Sequence, residues 1–285
     1  MNSIHAEGEL ESLLKNNLDE TAFQWLTSKI DSVISSESAR DLYLTYSLLA
    51  NKVGQGTKLE LDLKDDKLRS YLEWQKADAL QMARIYLLIK VLKAKPDYFE
   101  PKVANLIQVA DTGELVTFLK FLILLPNAER YKHTAVEALR TNIATVFEAI
   151  SMNNPYPAAY FNDQQWNQMY LKAAFMQFDL SQILDVDKRA NKDLARIISD
   201  YAHERWAASR DIDPLFWRPV SQFIDPYLLD DMKKLLESDK VEENKVGALC
   251  CYNSSNREAK ELVKNYTQLY DQVRDGEITW DNVIN

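Results

Sequence analysis

Glycine and proline are scarce in this chain: only 6 Gly and 8 Pro occur among 285 residues. A strand-rich protein needs many tight turns, and tight turns draw heavily on these two residues. The chain is instead rich in Leu, Ala, Lys and Glu, which favour helices. Apolar residues also recur at helical spacing, as in Leu10, Leu13, Leu14 and Leu18. The sequence therefore predicts an all-α fold.

The predicted helices follow one another in pairs with short connections. Such pairs often stack, so we expect an α-α superhelix, a helical-repeat-like array of antiparallel helix pairs. No fixed period is evident, but the C-terminal end resembles a HEAT-type repeat, with small residues at Gly247-Ala248 in its middle helix. We predict one all-helical domain over residues 1–285, with a possible subdivision into N-terminal helices 1–95 and a core 96–285.

Two segments give local predictions that a structure can check. Lys58 to Leu63 alternates charged and apolar residues, which is typical of a strand. A single strand would have no partner in a helical chain, so an extended linker is favoured over a strand. His133 to Ile150 carries a continuous helical pattern and is predicted to be one long helix.

Charge and cysteine content limit the environment and partners. A net charge of -9 and a pI near 5.0 disfavour nucleic acids and anionic membranes, since both attract basic surfaces. The N-terminus lacks a signal-peptide pattern, and no stretch approaches the roughly 18 apolar residues of a membrane helix. The two cysteines, Cys250 and Cys251, are adjacent, which disfavours a disulfide between them. We therefore expect a cytoplasmic protein with reduced thiols and no membrane span.

Residues 153–206 are the part of the sequence richest in functional groups. On a helix from 193 to 209, Arg196, Asp200, His203 and Glu204 occupy positions i, i+4, i+7 and i+8 and therefore share a face. The rest of this helix is largely apolar and aromatic. A face of this kind has several explanations, functional and structural.

Three functional interpretations are open. Asp200 and His203 form a carboxylate–x–x–His pair, but a di-metal site needs a second pair, which the sequence lacks, so we expect neither a metal nor another cofactor. His203 could act as a general base oriented by Asp200. The cluster could also bind a small polar ligand, with Tyr156, Trp166 and Trp206 stacking on it and Arg196 or Arg205 holding an anionic group.

A structural interpretation is favoured over these three. Arg196, Asp200 and Glu204 are spaced as an intrahelical ladder of ion pairs, and His203 would then be satisfied by a neighbour. A structural explanation is also favoured for the preceding segment, Asn153 to Pro157. Two prolines make it a rigid bend whose asparagines hold free backbone groups, and this is favoured over a binding loop. Asn167 and Lys172 are expected to point toward the bend.

Several motifs of this region resemble the EboA family. They are Asn154-Pro155-Tyr156-Pro157, Trp166-Asn167-Gln168-Met169, Arg189-Ala190-Asn191 and Asp200-Tyr201-Ala202-His203-Glu204-Arg205-Trp206. The resemblance is strong over Leu122 to Trp217, while the N-terminal third resembles the family only in helical character. It implies membership of the ebo gene cluster, which is associated with making or exporting a secondary metabolite. It implies no catalytic residues.

Two function hypotheses result. The first is a non-catalytic scaffold or small-molecule-handling protein of that pathway, whose partners are other proteins of the cluster or a small-molecule intermediate. The alternative is an enzyme acting on a small polar or anionic metabolite through a His203–Asp200 acid–base pair. The candidate ligand-binding residues are Asn154, Tyr156, Trp166, Asn167, Lys172, Arg196, Asp200, His203, Glu204 and Arg205.

Overall fold

The computed structural model describes residues 3–54 and 56–284, and in these residues it contains eighteen α-helices and no β-strand. The all-α prediction is confirmed. The chain divides into two compact units, Met1–Tyr160 and Phe161–Asn285. The predicted single domain, with its subdivision after residue 95, stays a prediction. Across the described residues, every helix is too short or too polar to cross a membrane.

The N-terminal unit is built from eleven α-helices and three short 3₁₀ segments among its described residues. The 3₁₀ segments are Leu49–Asn51, Leu122–Leu124 and Ala128–Tyr131. The α-helices are α1 Ser3–Asn17, α2 Glu20–Ser36, α3 Ala39–Leu48, α4 Asp66–Trp74, α5 Ala79–Ala94, α6 Pro96–Ala104, α7 Leu106–Val109, α8 Thr112–Lys120, α9 Lys132–Ala138, α10 Ala144–Ser151 and α11 Tyr156–Tyr160.

Helix α5 forms the centre of this unit. Helices α1, α2, α6 and α8 all pack against it, so it is buried nearly all round rather than along one stripe. Its one buried cation, Arg84, donates to the carbonyl of Tyr46 at 3.1 Å and lies 3.5 Å from the carboxylate of Glu114. A charged side chain in a core is tolerated when it is paired in this way.

The two local predictions have different outcomes. Residues 58–63 lie in neither a helix nor a strand, and Lys58 forms only an isolated bridge with Asp78, so the linker is confirmed. The single helix from His133 to Ile150 is wrong, because the chain leaves helical geometry between α9 and α10. There the hydroxyl of Thr141 accepts a hydrogen bond from the backbone N–H of Ile143 at 3.0 Å, a local turn that competes with the helix.

The C-terminal unit contains seven α-helices and two 3₁₀ segments, Leu180–Gln182 and Pro214–Phe223, in its described part. Side-chain caps start most of these helices; for example, Asn191 caps α14 and Asp225 caps α15. The α-helices are α12 Asp163–Phe175, α13 Val186–Arg189, α14 Lys192–Ala207, α15 Pro226–Leu236, α16 Val241–Asn253, α17 Arg257–Lys264 and α18 Thr267–Arg274.

Helix α16 lies at the core of this unit and packs on α15, α17 and α18. It carries Cys250 and Cys251, both buried free thiols whose pKa values are raised by burial. Gly247 allows its close approach to α15: a Cβ at this position would lie 3.0 Å from the side chain of Leu236 and 3.2 Å from its backbone nitrogen.

We expect Gly247→Ala to lower the free energy of unfolding by about 1–3 kcal/mol, because the added methyl group meets backbone that cannot move aside. The matched control is Gly8→Ala on α1, where nothing lies within 4 Å of the added Cβ. It should raise stability by up to about 1 kcal/mol through helix propensity. Urea unfolding measures both. Equal behaviour of the two variants would contradict a tight α15–α16 crossing.

Candidate functional site

The bend at residues 153–157 belongs to the N-terminal unit, and the side chain of Asn154 forms its hydrogen bonds within that unit. The Asn154 side-chain amide donates to the carbonyls of Leu119 at 3.1 Å and Ala149 at 2.8 Å. Its oxygen accepts from the backbone N–H of Tyr156 at 2.9 Å. Asn154 is only 2% exposed. Its contacts hold the backbone in place, as the structural interpretation of this bend requires.

The two aromatic candidates are each buried inside their own unit. In the N-terminal unit, the Tyr156 hydroxyl donates to the carbonyl of Ala128 at 2.7 Å, and burial raises the pKa of Tyr156. In the C-terminal unit, the guanidinium of Arg189 covers the Trp166 ring at 5.0 Å. Neither ring is more than 1% exposed. Both side chains therefore contribute to packing rather than to an open surface.

The side chain of Asn167 holds the residue that caps the start of helix α14. It forms a reciprocal amide pair with Asn191, with N···O distances of 3.1 and 2.8 Å. The same Asn191 oxygen accepts from the backbone N–H of Leu194 at 2.9 Å and so caps α14. Lys172, on the same helix as Asn167, is half-buried, and burial lowers the pKa of its ammonium group.

Helix α14 borders a surface cleft of about 650 Å³, which we call the α14 groove. Arg196 and Asp200 open onto it with exposed side chains, and their closest charged atoms are 3.8 Å apart, a loose pair. Apolar side chains from the next two elements form part of the wall. The groove is lined by Lys192, Asp193, Arg196, Ser199, Asp200, Phe223, Asp225, Tyr227 and Leu228.

His203 pairs with a carboxylate that was not predicted. Its Nε2 atom lies 2.6 Å from Oδ1 of Asp231 on α15, while Asp200 pairs with Arg196 on the groove side. Asp231 is only 3% exposed, and its other oxygen accepts from the hydroxyl of Ser199. The expected Asp200 partner is thus corrected to Asp231, because α15 packs against the side of α14 toward which His203 leans.

Tyr227 connects this pair to the groove. Its hydroxyl lies 3.2 Å from Nδ1 of His203, and its side chain is about half exposed on the groove wall. Hydrogen bonds therefore run continuously from Ser199 through Asp231 and His203 to Tyr227. Only the Tyr227 end of this chain is exposed on the groove wall, whereas Ser199 and the Asp231 carboxylate are buried.

The remaining predicted residues lie beyond the groove. The guanidinium of Arg205 donates to the carbonyl of Asp211 at 3.0 Å and fastens the loop that follows α14. Glu204 is exposed on α14. The indole of Trp206 lies 5.5 Å from the ring of His203 and stacks on Trp217 at 5.6 Å. Trp206 is therefore a packing partner of His203 rather than part of the groove.

Sequence reasoning missed Ser199, Tyr227 and Asp231. For Asp231 a signal exists: it interrupts the apolar face of α15, with Leu228 three residues before it and Leu235 four residues after it, both buried. A lone carboxylate on a buried stripe requires a partner. Among the described residues, no group of three or more His, Cys, Asp or Glu side chains is placed to hold a metal ion.

Comparison with known proteins identifies one family. The family model described as metabolite traffic protein EboA matches residues 6–221. The match includes the N-terminal third, which the motifs alone did not connect to the family. It ends before Tyr227 and Asp231. No curated protein and no solved structure matches the chain.

We expect Asn154→Ala to lower the free energy of unfolding by about 2–4 kcal/mol, because it leaves two buried carbonyls without a donor. The control is Asn51→Ala, at an exposed position, which should change stability by less than about 0.5 kcal/mol. Thermal unfolding followed by circular dichroism measures both. A wild-type melting curve for Asn154→Ala would argue against a structural role.

The coupling of His203 and Asp231 is measurable by a double-mutant cycle. We expect His203→Ala to cost about 1–2 kcal/mol, because it leaves the buried Asp231 carboxylate without its imidazole donor. The same change should cost clearly less in an Asp231→Asn background. His133→Ala, at a strongly exposed histidine, is the control and should have no effect. Additive losses in urea unfolding would show that the pair is not coupled.

Proposed function

The chain belongs to the EboA family, whose description as a metabolite traffic protein fits a metabolite-handling role, and from this membership we propose that it is a non-catalytic carrier of a small metabolite. One observation supports this most: the α14 groove combines a volume suited to a small ligand with charged, hydroxyl and apolar walls. We propose that the ligand binds there, against Arg196, Asp200 and Tyr227.

The proposal has three further parts. The metabolite belongs to a secondary-metabolite pathway of the ebo cluster, and partner proteins of that cluster deliver or receive it. The protein works in the cytoplasm, which the two free thiols Cys250 and Cys251 support. Helices α15–α18 form a HEAT-like stack, which is supported by the packing of α16 on its three neighbours. The superhelix predicted for the whole chain stays a prediction.

A second candidate function is favoured by the hydrogen-bonded order Asp231–His203–Tyr227. A buried carboxylate, an imidazole and an exposed hydroxyl in series are the parts of a proton-transfer relay. In that case the protein would be an enzyme in which Tyr227 exchanges a proton with the bound molecule. Asp231, not Asp200, would orient the histidine.

The carrier proposal is tested by isolating the protein from cells that produce it and identifying released small molecules by mass spectrometry. We expect one compound to be retained, and about tenfold less of it in the double variant Arg196→Ala/Asp200→Ala, a loss equivalent to about 1.4 kcal/mol. The control double variant, Glu137→Ala/Arg140→Ala, removes an exposed ion pair from α9 and the turn after it and should retain the compound.

The same preparation separates the two candidate functions. A carrier returns the compound unchanged after incubation, whereas an enzyme converts it and His203→Gln stops the conversion. If the wild-type protein retains no compound, or if both double variants retain as much as the wild type, the groove is not the binding site.

A further inference from the structure

The buried carboxylate of Asp231 fixes the direction of the hydrogen bonds around it. An ionised carboxylate only accepts hydrogen bonds. The Ser199 hydroxyl therefore donates to one oxygen, and Nε2 of His203, at 2.6 Å, carries a hydrogen and donates to the other. Because Asp231 is 3% exposed, solvent offers no alternative donor.

This arrangement determines what Tyr227 presents to the groove. In a neutral imidazole with its hydrogen on Nε2, Nδ1 is an acceptor. The Tyr227 hydroxyl, 3.2 Å away, then donates its hydrogen to Nδ1. Its oxygen keeps only lone pairs for the groove. As long as the imidazole is neutral, the Tyr227 hydroxyl is thus an acceptor toward any bound molecule.

The charged residues that line the groove also affect which ligand it can bind. Three carboxylates and two cations line it. One carboxylate, Asp225, already accepts from the backbone N–H groups of Tyr227 and Leu228 and caps α15. Asp193 and Asp200 are exposed and lie on the same helix as the two cations, Lys192 and Arg196. The groove therefore has no excess of positive charge and offers no net attraction to an anionic ligand.

We propose that the α14 groove selects a small molecule that donates hydrogen bonds from hydroxyl or ammonium groups, and that Tyr227 is the acceptor that distinguishes them. The apolar part of the molecule lies against Phe223 and Leu228. Asp231 and His203 are positioning residues, since they act through Tyr227. This inference rests on the proposed carrier function, whose ligand chemistry it specifies.

The imidazole tautomer tests the central step without a ligand. In protein labelled with ¹⁵N-histidine, NMR should show the His203 hydrogen on Nε2, with its signals assigned by their loss in His203→Gln. In Asp231→Asn the new amide donates to Nε2, so the hydrogen should move to Nδ1 and the Tyr227 hydroxyl should turn toward the groove as a donor. A wild-type hydrogen on Nδ1 overturns the proposal.

Four probes of similar size test the ligand chemistry: benzyl alcohol, benzylamine, benzyl methyl ether and benzoate. Titrations are followed by the His203 ring signals. We expect the alcohol or the amine to bind about tenfold more tightly than the ether and benzoate, with the tighter of the two identifying a hydroxyl or an ammonium ligand. Equal binding of alcohol, amine and ether, or no shift with any of the four, overturns the proposal.

Two variants assign this selectivity to Tyr227. Because Tyr227 is exposed, Tyr227→Phe should fold normally and should bind benzyl alcohol and its methyl ether equally. Tyr252→Phe, on α16 and outside the groove, should keep the wild-type preference. In Asp231→Asn, the preference for the alcohol over the ether should shrink or reverse. Unchanged selectivity in Tyr227→Phe overturns the assignment.

The failure of this inference is distinguishable from the failure of the carrier function. If the protein retains a cellular compound that only accepts hydrogen bonds, the carrier function holds and the proposed selectivity is overturned. If no compound is retained from cells, the carrier function itself fails, whatever the tautomer of His203.

Discussion

A buried carboxylate in the C-terminal unit sets the geometry of the candidate site. Removing an ionised carboxylate from water is costly unless donors replace the lost hydration. Asp231 obtains them from Ser199 and His203, both on α14, and this holds α14 and α15 together through side chains as well as apolar packing. The Tyr227 hydroxyl is positioned in turn by the histidine. The hydrogen bonds of the buried Asp231 carboxylate thus help to fix how α14 and α15 pack beside the groove.

The groove and the buried network have different roles because they differ in exposure. Arg196 and Asp200 are solvated, and their 3.8 Å separation in water contributes little to stability. Breaking this ion pair to contact a ligand would therefore cost little free energy. Asp231 is buried and hydrogen-bonded to the more exposed His203, so we expect that changing either residue alters structure as well as the groove surface. Tyr227 is exposed but anchored by His203, so in the proposed function it is the residue through which Asp231 and His203 would influence a ligand.

Local sequence rules predicted the all-α class of the fold and only part of the site. Helical spacing depends on neighbours a few residues away, so the helical character of the chain could be predicted from its sequence. The same rules paired His203 with Asp200, three residues away on the same helix. Its actual partner, Asp231, is 28 residues away and depends on how α15 packs on α14, which helical spacing does not encode.

The extent of the family match divides the site into two parts. Arg196, Asp200 and His203 lie within residues 6–221, while Tyr227 and Asp231 lie on α15 beyond the matched span. The matched part alone would leave His203 without its carboxylate and the groove without one wall. The groove is therefore complete only with α15, and Asp231, which orients His203, lies outside the motifs by which the family is recognised.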